Sequence, residues 1–430
     1  MPDLPIDRHE LSNGLRVILS RDSRVPIVAV NVWYGVGSRH EKAGRTGFAH
    51  LFEHMMTQGS ANVGKGEHDA LVEAAGGLSN ASTWLDRTTY FETLPSHELE
   101  LALWLEADRM ASLLPAITQA KLDNQREVVK NERRLDIDNE PYGTADEKML
   151  EHLFPKGHPY HHPTIGSMED LDAASLDDVR GFFVAHYAPN NAVLAIAGDF
   201  DPNAAMGLLE KHFGPVAANP SIPAATPVEV MPVLGAEVRE TIPDQVSLPR
   251  VYVAYRMPPL GSAGYDTLQV VVDLLTTGRA SRLYHGLVRE QQVAIELEGF
   301  AFPFASGASI LMLSATARPG VDPAVVEAAL STEIDRLAAD GPTDEELDRV
   351  RNLHAVSAES DLEYVGERAE RLAAYAGLFD EPERINTEVS RYAAVDAARV
   401  RQQMTASMGR DNRAILTYVP NGSEDPATDD

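Results

Sequence analysis

His50, Glu53 and His54 fall within five consecutive positions of the stretch GFAHLFEHMMTQGS, residues 47–60. On an α-helix, residues four apart lie one turn apart on the same face. Two imidazoles at that spacing can converge on one metal ion, and zinc takes histidine nitrogen readily. Glu53 lies on nearly the same face, where its carboxylate can accept a proton from water. The neighbours Phe48, Leu51, Phe52, Met55 and Met56 supply an apolar face, and Gly59 can end the helix. The order H-x-x-E-H reverses the H-E-x-x-H arrangement of helix-borne zinc sites. A helix with two incidental histidines would show the same local pattern, so a third ligand separates the two readings.

A catalytic zinc site needs three protein ligands and one open position. The chain has no cysteine, so every ligand must be His, Asp or Glu. The helical stretch LDNQREVVKNERRLDI, residues 122–137, offers Glu127 and Glu132. They are five apart and point in different directions, and helix geometry leaves the choice between them open.

The elements that must hold these groups can be read from pattern. The 430 residues, 44% of them hydrophobic, suffice for two packed domains. HELSNGLRVIL reads as a hairpin around Ser12-Asn13-Gly14, and residues 27–37 as a buried strand ahead of the motif helix. Residues 76–95 read as two strands with a turn near Asp86, followed by helices over 97–114 and 117–139. A strand at 190–200 leads into a helix over 202–212. The Pro/Ala-rich stretch 214–235 reads as a linker, after which the order of elements restarts. Strand 250–261, helix 265–278, long helix 343–362 and closing strand 412–420 follow. Placing Gly59 on Gly278 sets His50, Glu53 and His54 opposite Gln269, Val272 and Asp273. The chain therefore reads as a duplicated α/β unit whose second copy has lost the metal chemistry. The expected boundaries are 1–215, a linker 216–235, 236–420, and an acidic disordered tail 421–430.

Composition excludes other classes. The net charge of −28 makes a poor binder of nucleic acid or anionic membrane. No run of 18 uncharged apolar residues suggests a transmembrane helix, and the first 20 residues lack a signal-peptide pattern. A soluble, cytoplasmic protein is expected. His158, His161 and His162 lie between Pro159 and Pro163 and read as a stiff loop rather than a second metal site.

The chain resembles the pitrilysin (insulinase) family of zinc metallopeptidases, in the short-chain branch with mitochondrial processing peptidase and bacterial relatives. The resemblance is carried by LSNGLRV (11–17), GVGSRHEKAGRTGFAHLFEHMMTQGS (35–60), SNASTWLDRTTYFETLP (79–95), QREVVKNERR (125–134), GHPYHHPTIG (157–166), YAPNNAVLAIAGDFDP (187–202) and GRASRLYHGLVREQQ (278–292). It implies an α+β fold of two homologous α/β sandwich domains, the halves facing a chamber. It implies Zn²⁺ held by His50, His54 and Glu132, with Glu53 as the catalytic base. It places Gln125 where the family carries a second glutamate. It marks Asn80 and Ala81, on an edge strand, as substrate-binding positions. The implied activity is hydrolysis of peptides or small unfolded proteins; the alternative is a non-catalytic assembly or peptide-capturing subunit.

One departure bears on partners. Family members often supply an Arg and a Tyr seven residues apart from the later domain. Here the segment is LVREQQVAIELEGF: Arg289 is present, but Glu296 or, with one gap, Ile295 takes the tyrosine's place. This resembles the metal-bearing subunit of two-component members. A homologous partner lacking H-x-x-E-H and supplying the Arg/Tyr pair is expected, with a homodimer as the alternative.

Overall fold

The computed structural model describes residues 3–223, 228–229, 231 and 233–422. Residues 423–430 of the expected tail and 224–227, 230 and 232 of the expected linker lie outside the described residues. The chain forms two compact units.

The first unit comprises Met1–Asn131, His162–Pro227 and Val356–Glu388. Its sheet contains β1 (Asp7–Glu10), β2 (Arg16–Arg21), β3 (Ile27–Tyr34), β4 (Leu78–Thr83), β5 (Thr88–Pro95) and β6 (Ala192–Gly198). The strand order is β1-β2-β6-β3-β5-β4. β2 and β6 are parallel, and every other neighbouring pair is antiparallel. The second unit comprises Glu132–His161, Val228–Ala355 and Val389–Asp430. Its strands are β7 (Val238–Asp244), β8 (Arg250–Met257), β9 (Ala294–Phe302), β10 (Ser309–Ala317) and β11 (Arg413–Pro420), in the order β7-β11-β8-β10-β9. Here β7 and β11 are parallel and the rest antiparallel. Strand for strand, β2-β6-β3-β5-β4 matches β7-β11-β8-β10-β9 in order and direction. The two domains share one topology, with β1 an addition to the first.

The threading differs from the expected boundaries. Residues 356–388 join the first unit and 132–161 the second. The reason lies in β3, whose residues after Ile27 are all buried, so the sheet needs a cover on both faces. The helix Val365–Phe379 supplies one cover from far along the chain. Its Val365, Ala369, Leu372, Ala373 and Ala376 pack with Ile18, Ala29, Trp33, Val193, Ala195 and Ala197. Small residues let this helix lie close: a Cβ at Gly377 would sit 2.6 Å from the Trp33 ring. Helical periodicity identifies such a helix but not the sheet it covers.

Candidate metal centre

The centre is built on α1 (Phe48–Met56). Phe48, Ala49, Leu51, Phe52, Met55 and Met56 are buried, which turns His50, Glu53 and His54 to the half-buried side. Two features fix where the helix begins. Gly47 has φ 86°, and a Cβ there would lie 2.5 Å from the Ile165 carbonyl oxygen. Glu41, fully buried, accepts hydrogen bonds from the Gly47 amide at 2.9 Å and the Ala49 amide at 2.7 Å. Its carboxylate meets the unsatisfied N–H groups and positive end of the helix dipole. Burial pushes the Glu41 carboxyl up, and those backbone N–H groups oppose the shift.

The Nε2 atoms of His50 and His54 lie 3.3 Å apart, with ring planes at 89°. Two zinc–nitrogen bonds of about 2.05 Å at a tetrahedral angle would place their nitrogens about 3.3 Å apart. The third group comes from α4 (Gln119–Arg133), which continues as a π-helical turn over Arg134–Asp138. The boundary between the units falls inside this continuous helical segment, after Asn131. Glu132 is thus carried to α1 by a helix rooted in the first unit. His50, His54 and Glu132 each offer a ligand atom, all within 4.8 Å of one another. Glu127, the other carboxylate of this helix, is exposed and pairs with Lys130 at 3.0 Å. Gln125 is buried and donates to Asn124 Oδ1 at 3.0 Å. The three donors, two imidazoles and a carboxylate, fit a zinc ion in type, number and spacing.

Glu53 presents a buried Oε2 with no hydrogen-bond partner among the described residues. Beside it, Glu53, His54, Thr57 and the outermost strand β4 line a cavity of about 320 Å³. Asn80 and Ala81 belong to this lining. The Ala81 N–H is engaged by Asn80 Oδ1 at 2.8 Å. Arg87, in the hairpin turn, donates to the Ser82 carbonyl at 2.7 Å and braces β4 from its other end.

Farther in, the same lining reaches a buried polar cluster that sequence reasoning missed. His68 lies on α2 (Glu67–Ala74), Glu92 on β5, and Glu106 and Arg109 on α3 (Leu99–Ser112). His68 Nε2 lies 3.1 Å from Glu92 Oε1, and Arg109 binds Glu106 through two nitrogens. Burial pushes Glu92 up and Glu106 up to about 8. Burial, then the Arg109 charge, lowers His68 to about 4, so its imidazole is neutral at pH 7. These residues span 68–109 singly, with no motif spacing to reveal them. Glu41 was equally hidden: it lies in the stretch 35–60 that carries the family resemblance, with no role read for it.

The histidines of the 158–162 loop hold their own surroundings. His158 stacks on Phe154 at 4.8 Å, and the His161 ring bonds the Phe154 carbonyl at 2.8 Å. In the second unit, helix Ala263–Thr276 follows β8 as α1 follows β3. Its Asp273 accepts from Thr277 at 2.6 Å and lies 2.9 Å from His354 Nε2. Those contacts lower the Asp273 pKa against the opposing effect of burial. Glu296, at the expected tyrosine position, pairs with Arg250 at 2.7 Å, and Ile295 is exposed.

Known proteins match this architecture. The profile for insulinase (peptidase family M16) matches residues 16–166, and that for the peptidase M16 inactive domain matches 173–353. The zinc protease PqqE of Helicobacter pylori is 29% identical over 375 residues, covering 86% of this chain and 84% of that one. The mitochondrial-processing peptidase subunit beta of Lentinula edodes is 27% identical over 268 residues, 61% of this chain and 55% of that one. A crystal structure of a protease from Helicobacter pylori superposes with a TM-score of 0.90 at 25% identity, covering 97% of this chain and all of that one. With both halves of the chain matched in order, and the fold shared along its length, the protein belongs to the M16 (insulinase) family of peptidases.

Proposed function

We propose that this chain is a zinc-dependent endopeptidase, or the metal-bearing subunit of one, that hydrolyses peptides or small unfolded proteins. The convergence of His50, His54 and Glu132 carries this reading. The inactive-domain profile matches 173–353, a region that excludes all three residues and Glu53. Gln269 and Asp273 lie within it.

His50, His54 and Glu132 would hold the ion. When bound, zinc supplies Lewis-acid activation of water and of the scissile carbonyl. Glu53 accepts the proton of the attacking water at Oε2, whose lone pairs no donor among the described residues occupies, and returns it to the leaving amine. β4 is the outermost strand of its sheet, so an extended peptide can add beside it through main-chain hydrogen bonds. A substrate carbonyl would displace Asn80 Oδ1 from the Ala81 N–H, which makes Asn80 a placeholder for substrate. β9 offers no tyrosine at positions 295–296, which supports a homologous partner that supplies the Arg/Tyr pair. A homodimer is the other assembly this chain could form.

The test is metal content with activity. The purified chain is expected to hold close to one zinc, to lose cleavage of a quenched peptide library to a chelator, and to regain it with Zn²⁺. A chain that binds no zinc and cuts no peptide would instead be the non-catalytic, peptide-capturing or assembly subunit.

A further inference from the structure

A second cavity, of about 480 Å³, lies between the start of α1 and the helix Leu176–His186, and shares no lining residue with the cavity beside Glu53. That volume is in the range of small-molecule sites. Phe48 and Phe182 give it aromatic walls. His186 lines it while only 7% exposed. The His186 ring meets other rings, Phe182 at 4.9 Å and His40 at 5.8 Å between centroids. No hydrogen bond reaches that ring among the described residues, although the His186 carbonyl accepts from Asn191 Nδ2 at 2.8 Å. Burial, then the Lys42 charge, lowers His186 to about 4, so its imidazole is neutral at pH 7 and offers one donor and one acceptor. Most other polar groups of the lining are engaged. Glu41 holds the start of α1 with both oxygens, and the His40 Nδ1 lies 3.0 Å from the Gly37 amide. Arg45 lies 3.4 Å from Asp178. Lys42 is exposed and pairs with no carboxylate among the described residues. The cavity thus joins aromatic walls, a buried imidazole without a partner and an unpaired ammonium.

We infer that this cavity binds a small molecule built from a flat heteroaromatic ring and one carboxylate. The ring lies against Phe48 and Phe182, a ring N–H meets His186, and the carboxylate meets Lys42. The inference does not depend on the peptidase reading, because none of these residues touches the cavity beside Glu53.

The test titrates indole-3-acetate into the full chain by calorimetry, with indole-3-acetamide as its uncharged counterpart. A Kd of about 100 µM is expected for an acid of this size, and the amide should bind about 10-fold more weakly. Lys42→Gln is expected to bring the acid down to the affinity of the amide and to leave the amide unchanged. His186→Phe keeps a ring in place and should weaken both ligands about 5-fold. Gly181 lies in the lining, and a Cβ there meets nothing within 4 Å. Gly181→Trp therefore fills the cavity without strain and is expected to abolish binding of both. No saturable binding of the acid up to about 2 mM overturns the inference, as does equal affinity for acid and amide. Binding that persists in Gly181→Trp lies elsewhere, and binding lost in Glu132→Gln belongs to the metal centre; either result also overturns it.

Discussion

Replacing Glu132 by Gln tests the metal centre against a control built into the same helix. Glu132 offers a carboxylate oxygen within 4.8 Å of both imidazole donors, whereas Glu127 is exposed and pairs with Lys130 across one helical turn. An amide oxygen carries no charge, and zinc without its one anionic ligand should bind about 100-fold more weakly or worse. Zinc at a hundred times its Kd stabilises a folded protein by about 2.7 kcal/mol. Glu132→Gln at the same zinc concentration should forfeit most of that. For a unit of roughly 150–250 residues this lowers Tm by about 5–10 °C. The exposed Glu127–Lys130 pair contributes no more than about 1 kcal/mol, so Glu127→Gln should shift zinc affinity less than about 2-fold. Competition with a chromophoric chelator gives the affinities, and thermal unfolding with and without zinc gives the linked stability. Full zinc affinity in Glu132→Gln together with its loss in Glu127→Gln would refute the ligand assignment.

Four further outcomes are expected. Glu53→Gln should keep zinc and peptide binding but lose about 100-fold or more in turnover; near-normal turnover removes Glu53 from the mechanism. Gly47→Ala combines φ 86° with a Cβ 2.5 Å from the Ile165 oxygen. It should cost about 2 kcal/mol or more, read by denaturant titration, and an unchanged midpoint would count against that account of the helix start. A homologous subunit that lacks H-x-x-E-H and carries the Arg/Tyr pair should raise turnover by about 100-fold; a lone chain as fast as any mixture would mean that Ile295 and Glu296 are no defect. Glu346 is held at about 2, chiefly by the hydrogen bond from Arg282 against burial, below its ordinary 4.5. A depressed folded pKa gives stability present above the ordinary value and lost as pH falls toward 2. Wild type should therefore exceed Glu346→Gln by about 1 kcal/mol at pH 7, a margin that vanishes in acid.

What could be read in advance followed from locality. The α1 pattern, the β4–β5 pair around Asp86 and the closing strand are each encoded within a short window, by spacing or turn residues. The direction of Glu132 was not local: helix geometry placed Glu127 and Glu132 on different faces without saying which face meets α1. Glu41 illustrates a second limit, since a buried carboxylate six residues before the helix-capping Gly47 looks like any surface acid until the backbone folds onto it. The assignment of 356–388 to the first unit is the third limit. An alanine-rich helix face declares only that it will be covered at close range, and the partner is settled by which sheet still has an open apolar face.

The second copy shows what the fold requires when the chemistry is gone. Its helix ends at Gly278 with φ 80°, as the region after α1 does at Gly59 with φ 93°. The backbone course is therefore preserved while the polar face is rewritten. Asp273 takes the place of His54, and a carboxylate half-buried there needs donors. Thr277 donates to it, and the His354 ring nitrogen stands 2.9 Å away within the same unit. The slot opposite the apolar face thus demands satisfied polar groups in either copy, and a metal ion is one solution among several. In the first copy the two imidazoles stand with their Nε2 atoms 3.3 Å apart, both able to act as acceptors in the neutral form. Two acceptors held face to face repel unless a cation or a proton lies between them. With a Glu132 carboxylate oxygen within 4.8 Å of both nitrogens, the first copy gathers a donor set that the proposed zinc ion would fit, on a helix whose counterpart in the second copy carries none of these groups.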